Sequence, residues 1–262
     1  MLVDSHCHLA ASQFNADRDE VVAAARAAGV RQLVIPAVDR DSFATVSACC
    51  AQYAGCHPAY GIHPLFISDV DDVDLSLLED WLSGAERSTQ TAVAVGEIGL
   101  DLYRTTTDLA RQERFFAEQL KIARKLDLPV LVHSRRAVDL VLKHLRRIRV
   151  RGGIAHAFNG SRQQAEEFVK LGFKLGFGGA LTFPGSTRIR HLATSVPLEA
   201  IVLETDSPDM PPIWLNGARN TPASLKRVND MLSELRGMTS AELAEVTTHN
   251  MVTLLPQLRS GY

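Results

Sequence analysis

Eight side chains of two chemical kinds recur at matching places: the histidines His6, His8, His63, His133 and His156, and the carboxylates Glu97, Glu204 and Asp206. Each ends or follows a short aliphatic run, such as TAVAVG before Glu97, PVLV before His133 and AIVL before Glu204. Imidazole nitrogen and carboxylate oxygen suit zinc, manganese and similar divalent ions. On an extended strand His6 and His8 share one face, about 7 Å apart along the chain, while Cys7 faces away into inert core. A lone His-x-His pair fits two packed histidines equally well. Repetition decides: of nine histidines, five fall at strand ends, where scattered surface histidines would not gather. Four histidines with two or three carboxylates exceed the needs of one tetrahedral ion and fit two ions bridged by a carboxylate. Two ions about 3.5–4 Å apart activate a water and clamp both oxygens of a displacement at phosphorus. Glu204 and Asp206 share a face of their strand, so both reach this cluster.

The elements that must position these groups alternate. Short apolar strands are expected at Leu2 onward, Arg31–Val38, His57–His63, Thr91–Gly99, Val130–Ser134, Gly153–Ala157, Phe173–Gly178 and Ala200–Thr205. Between them the pattern predicts helices over Asp17–Ala28, Asp41–Ala51 (capped by Asp41 or Ser42), Asp74–Ser83, Asp108–Leu126, Ala137–Ile148, Ser161–Leu171 and Thr187–Ala193. Two more helices, about Pro222–Arg236 and Ser240–Leu254, complete the chain and can cap it. Eight strand–helix units have the rhythm of a (β/α)8 TIM barrel, whose chemistry sits at the strand C-termini. A doubly wound open sheet is the alternative, but DSHCHLAAS after the first strand contains no glycine for a phosphate loop.

With 262 residues and 46% hydrophobic content, the chain can bury a large core. No internal linker appears, so a single domain over 1–262 is expected. A net charge of -2 gives no global reason to bind nucleic acid, and it leaves room for local basic patches. No apolar run approaches the ~18 residues of a membrane span, and the N-terminus does not resemble a signal peptide. The four cysteines (Cys7, Cys49, Cys50, Cys56) form no disulfide framework, so free thiols in a reducing cytoplasm are expected. Cys49, Cys50, Cys56 and His57 match no zinc spacing.

The motifs DSHCHL, YGIHP, VGEIGLD, LPVLVHSR, GIAHAF and VLETDSPDM resemble, in type, spacing and order, the TatD family of metal-dependent hydrolases within the amidohydrolase superfamily. The likeness spans nearly the whole chain, and VHSRRA with ETDSPDMP is similar to its YjjV-like branch. The resemblance implies a (β/α)8 barrel, two divalent metal ions (zinc, manganese or magnesium) and phosphodiester hydrolysis, with DNA exonuclease activity attributed to several members. It implies His6, His8 and Asp206 on one ion, Glu97 as the bridge, and His133 with His156 on the second. Many amidohydrolases bridge their metals with a carboxylated lysine; here Glu97 stands in that place. His63 would contact substrate phosphate, with core packing beside Pro64 as its alternative. Glu204 is placed to orient an imidazole ligand or the attacking water.

Asp101 and Tyr103 either shape the pocket or, for Asp101, cap the following helix. Phosphate-binding charge at the mouth could come from Arg135 and Arg136, next to His133, or from Arg188, Arg190 and His191. The more basic run KHLRRIRVR, Lys143–Arg151, lies toward the far end of a barrel helix and reads as a solvated face.

Three functions compete. A two-metal phosphodiesterase acting on DNA ends, with Glu97, Asp206 and Glu204 catalytic and His63, Arg135 and Arg136 on the substrate, is expected from a monomeric chain that needs no membrane. A small-molecule amide, ester or lactone hydrolase would use the same ligands, since activated water attacks carbon or phosphorus. A non-catalytic metal-binding protein would lack a ligand or a water-activating carboxylate, and none is lacking.

Overall fold

A computed structural model describes residues 1–84, 91–103 and 108–261. The strands are β1 (Leu2–Asp4), β2 (Val30–Pro36), β3 (Cys56–Tyr60), β4 (Ala94–Asp101), β5 (Val130–Arg135), β6 (Gly153–Ala155), β7 (Phe173–Phe177) and β8 (Ile201–Leu203). They pair in parallel in the order of the sequence, β1 through β8. The seam between β8 and β1 is joined past the strand ends. Ser5 N donates to Leu203 O at 2.9 Å, Asp206 N to His6 O at 2.9 Å and His8 N to Ser207 O at 2.8 Å. Parallel strands need crossovers, and helices supply them: α1 (Arg18–Ala27), α2 (Phe43–Gln52), α3 (Asp72–Ser83), α4 (Leu109–Lys125), α5 (Val138–Arg147), α6 (Arg162–Lys170) and α7 (Thr187–Ser195). The fold is the (β/α)8 barrel expected from the alternation.

The two additional helices divide the remaining work. Helix α8 (Leu225–Arg236) packs on β8 and β1 beside α7 and takes the eighth place in the outer ring. Helix α9 (Ser240–Leu254) caps the barrel from its N-terminal end. Val3, Val34, Ala59, Ala94, Leu131, Ile154 and Val202 fill the interior, and Met251, Leu254, Leu255 and Leu258 close it from below. A sealed lower end leaves the strand C-termini as the open mouth.

Several boundaries differ from the sequence reading. Strand β4 runs on to Asp101, because Leu100 and Asp101 still pair with Ser134 and Arg135. Asp101 therefore does not cap α4; Asp108 does, accepting from Arg111 N at 3.0 Å. Ser42 takes the N-cap position of α2 as expected but makes no side-chain cap there; Asp39 caps the turn Arg40–Ser42 that leads into it. Asp71 starts α3 two residues early through a capping box with Asp74. Among the described residues no helix is long and apolar enough to cross a membrane.

Candidate metal centre

Glu97 is aimed by an irregularity in its own strand. The register of β4 against β5 shifts between Val95 and Ile98, and Glu97 N bonds Ala37 O at 3.0 Å instead of continuing the ladder. Gly99 permits this path: its φ is +148°, and a Cβ there would stand 1.9 Å from His133 O. The carboxylate enters the barrel mouth 2% exposed, with its two oxygens facing different partners. Oε2 lies 3.2 Å from His6 Nε2 and 3.5 Å from His8 Nε2. Oε1 lies 3.0 Å from His133 Nδ1, 3.3 Å from His156 Nε2 and 3.5 Å from His63 Nε2. Asp206 Oδ1 completes the first side, 3.6 Å from His6 Nε2 and 3.5 Å from His8 Nε2.

All six expected ligands thus converge, although several sit beyond the strand ends where the sequence reading placed them. His6 and His8 follow β1, His156 follows β6, and Asp206 follows β8 on an extension zipped to the His6–His8 segment. Asp4 strengthens that zipper from within. Its buried carboxylate accepts from Thr205 N at 3.0 Å, Thr205 Oγ1 at 2.6 Å and His6 N at 3.3 Å. Ser207 Oγ then links Thr205 Oγ1 at 2.9 Å to Cys7 Sγ at 3.2 Å, so Cys7 points away from the site as expected. The sequence reading missed Asp4, although a carboxylate in an apolar strand had no other evident partner.

The donor set fits divalent cations. His6 Nε2 and His8 Nε2 stand 3.2 Å apart, a separation at which two lone pairs, or two N–H groups, repel unless a proton or cation lies between. His6 with His8 and Glu97, His6 with His156 and Asp206, and His63 with Glu97 and His133 each gather ligand atoms within 4.8 Å.

Contacts on the outer ring nitrogens assign the rings different roles. Asp101 Oδ2 accepts from His133 Nε2 at 3.1 Å, so Nδ1, which faces Glu97 Oε1 at 3.0 Å, is the nitrogen that would exchange its proton for a cation. Glu204 Oε1 lies 3.5 Å from His156 Nδ1, on the side away from Glu97, and accepts from Ala157 N at 2.5 Å. Gly176 makes room for it, since a Cβ there would stand 2.0 Å from Glu204 Oε2. His63 is the exception. Its Nδ1 accepts from Leu65 N at 3.1 Å, so the neutral ring carries its proton on Nε2 and faces the centre as a donor rather than a ligand.

Charge follows geometry. Burial alone would raise Glu97, but the surrounding imidazoles, by charge and through the His133 hydrogen bond, hold it well below the usual carboxylate range. Burial likewise opposes the charge on His8, yet its hydrogen bonds to Asp206 and Glu97 push it up to about 10. Burial dominates at His63 and, helped by neighbouring imidazoles, brings it down to about 3 despite Glu97. Asp206 is held low by His156, His8 and His6 against its own burial.

A cleft of about 930 Å³ opens from this centre, lined by His133, His156, Asp206, Arg135, Arg136 and Arg188 among others. Arg135 stacks 3.6 Å from the centroid of the Tyr103 ring, and Arg136 lies 4.8 Å from it. Arg136, Ala157, Asp206 and Met210 all take positive φ, at 58°, 45°, 55° and 46°. Non-glycine residues reach that region at a cost, and here they cluster on the loops of one barrel mouth. Arg190 turns away, donating to Leu181 O at 3.0 Å, and His191 does not line the cleft. The basic run Lys143–Arg151 lies at the opposite end. Lys143 and His144 pair there with Glu113 and Arg146 with Glu167, while His144 is buried against Phe116.

A parallel barrel with imidazoles and carboxylates gathered at its C-terminal mouth defines a metal-dependent hydrolase. The chain matches the family described as TatD related DNase over residues 3–256. It is 40% identical over 253 residues to the uncharacterized metal-dependent hydrolase YjjV of Escherichia coli K12, covering 96% of each chain. The crystal structure of the Escherichia coli TatD homolog YjjV superposes with a TM-score of 0.92 at 39% identity, covering 97% of this chain and 98% of that one. A putative deoxyribonuclease of Danio rerio, tatdn3, is 33% identical over 264 residues, covering 98% of each chain. The chain belongs to the TatD family.

Proposed function

We propose that this chain is a phosphodiesterase acting on DNA ends, using two divalent ions held by His6, His8, Glu97, His133, His156 and Asp206. The observation that carries the reading is the division of Glu97, whose two oxygens face separate sets of ring nitrogens as a bridging carboxylate must. Ions held there supply polarisation of a water and of a phosphoryl oxygen. The protein's own groups do the rest. Asp101 and Glu204 fix the ring orientations of His133 and His156. Asp206, whose side chain is 14% exposed, faces the cleft and takes the proton released by the attacking water. His63 donates its Nε2 proton to a non-bridging oxygen, and Arg135 and Arg136, steadied on Tyr103, hold the phosphodiester charge. Neither guanidinium has a carboxylate partner among the described ion pairs, so their charge is available to an anion. The family's description and the printed name of the Danio rerio relative point the same way.

The test is a metal-reconstituted assay on end-labelled single-stranded DNA beside simple phosphodiesters, esters and lactones. Release of nucleotides from DNA ends is the expected result. Turnover of lactones or esters with DNA untouched would replace this reading with small-molecule hydrolysis.

A further inference from the structure

The cleft is larger than one phosphodiester needs, and its lining carries a further cation that the reaction just described does not use. Arg188, at the start of α7, donates from Nε at 3.1 Å and from Nη2 at 2.7 Å to the single Oδ1 of Asn159. Asn159 and Gln164 line the cleft with it, as do Arg135 and Tyr103. The kind of partner matters. Elsewhere on the surface Arg146, Arg162 and Arg219 are held by Glu167, Glu166 and Asp17, which position the guanidinium and neutralise it. Asn159 is a neutral amide, so it fixes the guanidinium in place and leaves its full charge for a ligand. The nearby Asp139 is engaged by Gln164 Nε2 at 2.7 Å, and Asp209 lines the same cleft without pairing to Arg188 among the described ion pairs.

We infer that Arg188, held by Asn159, forms a second phosphate subsite in the cleft that Arg135 also lines, so that the preferred substrate carries a phosphate besides the one cleaved. The inference rests on the phosphodiesterase reading, and binding measured without turnover separates the two. The ligands are a thymidine dinucleotide phosphorylated at its 5′ end, at its 3′ end, or at neither. Binding to the chelator-treated protein and KM in the metal-loaded protein are measured for wild type, R188A, N159A and, as a remote basic control, R147A. One terminal phosphate should tighten binding by about ten-fold, the scale of a charge-assisted hydrogen bond. R188A should bring that ratio close to one, N159A should reduce it part of the way, and R147A should keep it. Equal binding of all three dinucleotides by wild type would overturn the subsite, as would a ratio that survives in R188A or falls equally in R147A. If the ratio behaves as expected but no dinucleotide is cleaved, the subsite stands and the phosphodiesterase reading falls.

Discussion

Glu97 and His63 lie 3.5 Å apart, and their remaining contacts give them different work. Glu97 spends both oxygens on ring nitrogens that would be ligands, so E97Q, which keeps the shape and removes the charge, should lose at least one equivalent of metal by elemental analysis. Turnover should be abolished while circular dichroism shows the barrel intact; an active variant that keeps both metals would remove Glu97 from the bridge. For His63 the Leu65 amide fixes the tautomer, and burial keeps the ring neutral. A neutral donor can be replaced by another neutral donor. H63Q should therefore stay near wild-type turnover, while H63A weakens it by about 1–3 kcal/mol with metal content unchanged. Equal, full activity in both would return His63 to a packing role, and metal loss in either would make it a ligand.

At the scale of elements, much of this was legible in the chain. The alternation of apolar runs with amphipathic stretches places all eight strands, because a buried parallel strand is a nearly continuous aliphatic run. What the sequence could not carry is where pairing stops. His6 and Asp206 stand beyond their strands because the last pleats are held by single seam bonds and by the Asp4 carboxylate, contacts between residues some 200 positions apart, while His156 is held past β6 by the bond from its N to Val132 O. Asp101 was ambiguous for a related reason: only the β5 register shows that it faces His133. A pH effect belongs to the pair β2–β3. His57 Nε2 meets Gln32 Oε1 at 2.5 Å, and burial, with Arg26 nearby, lowers its pKa to about 4. The unfolded chain takes up that proton near pH 6.5, before the folded one does, so the stability present above pH 6.5 is lost as the pH falls toward 4. H57Q keeps a polar partner for Gln32 and cannot titrate. Between pH 7 and 5 its melting temperature should fall less than that of wild type, by on the order of 5 °C. Parallel falls in the two proteins would show that His57 is not an acid-sensitive contact.

For the whole molecule the question is whether the barrel needs its ions to stand. The outer ring is closed by α8 and the lower end by α9 and the residues after it, so the apolar core is complete without the mouth. Within the mouth, protons can stand in for cations: Glu97 and Asp206 keep His8 protonated up to about 10 in the cation-free protein. That arrangement has a sign. A histidine raised in the fold contributes stability that is fully present below its unfolded value near 6.5 and is lost as the pH rises through about 10. The cation-free protein should therefore fold at neutral pH, and the advantage gained from ions should widen with pH as their proton competitors leave. At a free zinc or manganese concentration 100-fold above Kd, binding contributes about 2.7 kcal/mol, a rise in Tm of roughly 5–10 °C for a chain of this size. Thermal melts of chelator-treated and reconstituted protein at pH 7 and pH 9 measure both quantities. The gap should be larger at pH 9, and proton release on loading, read by calorimetry in buffers of different ionisation enthalpy, should accompany it. A gap that shrinks with pH, or a chelated protein already unfolded at pH 7, would mean that the ions build this barrel rather than occupy it.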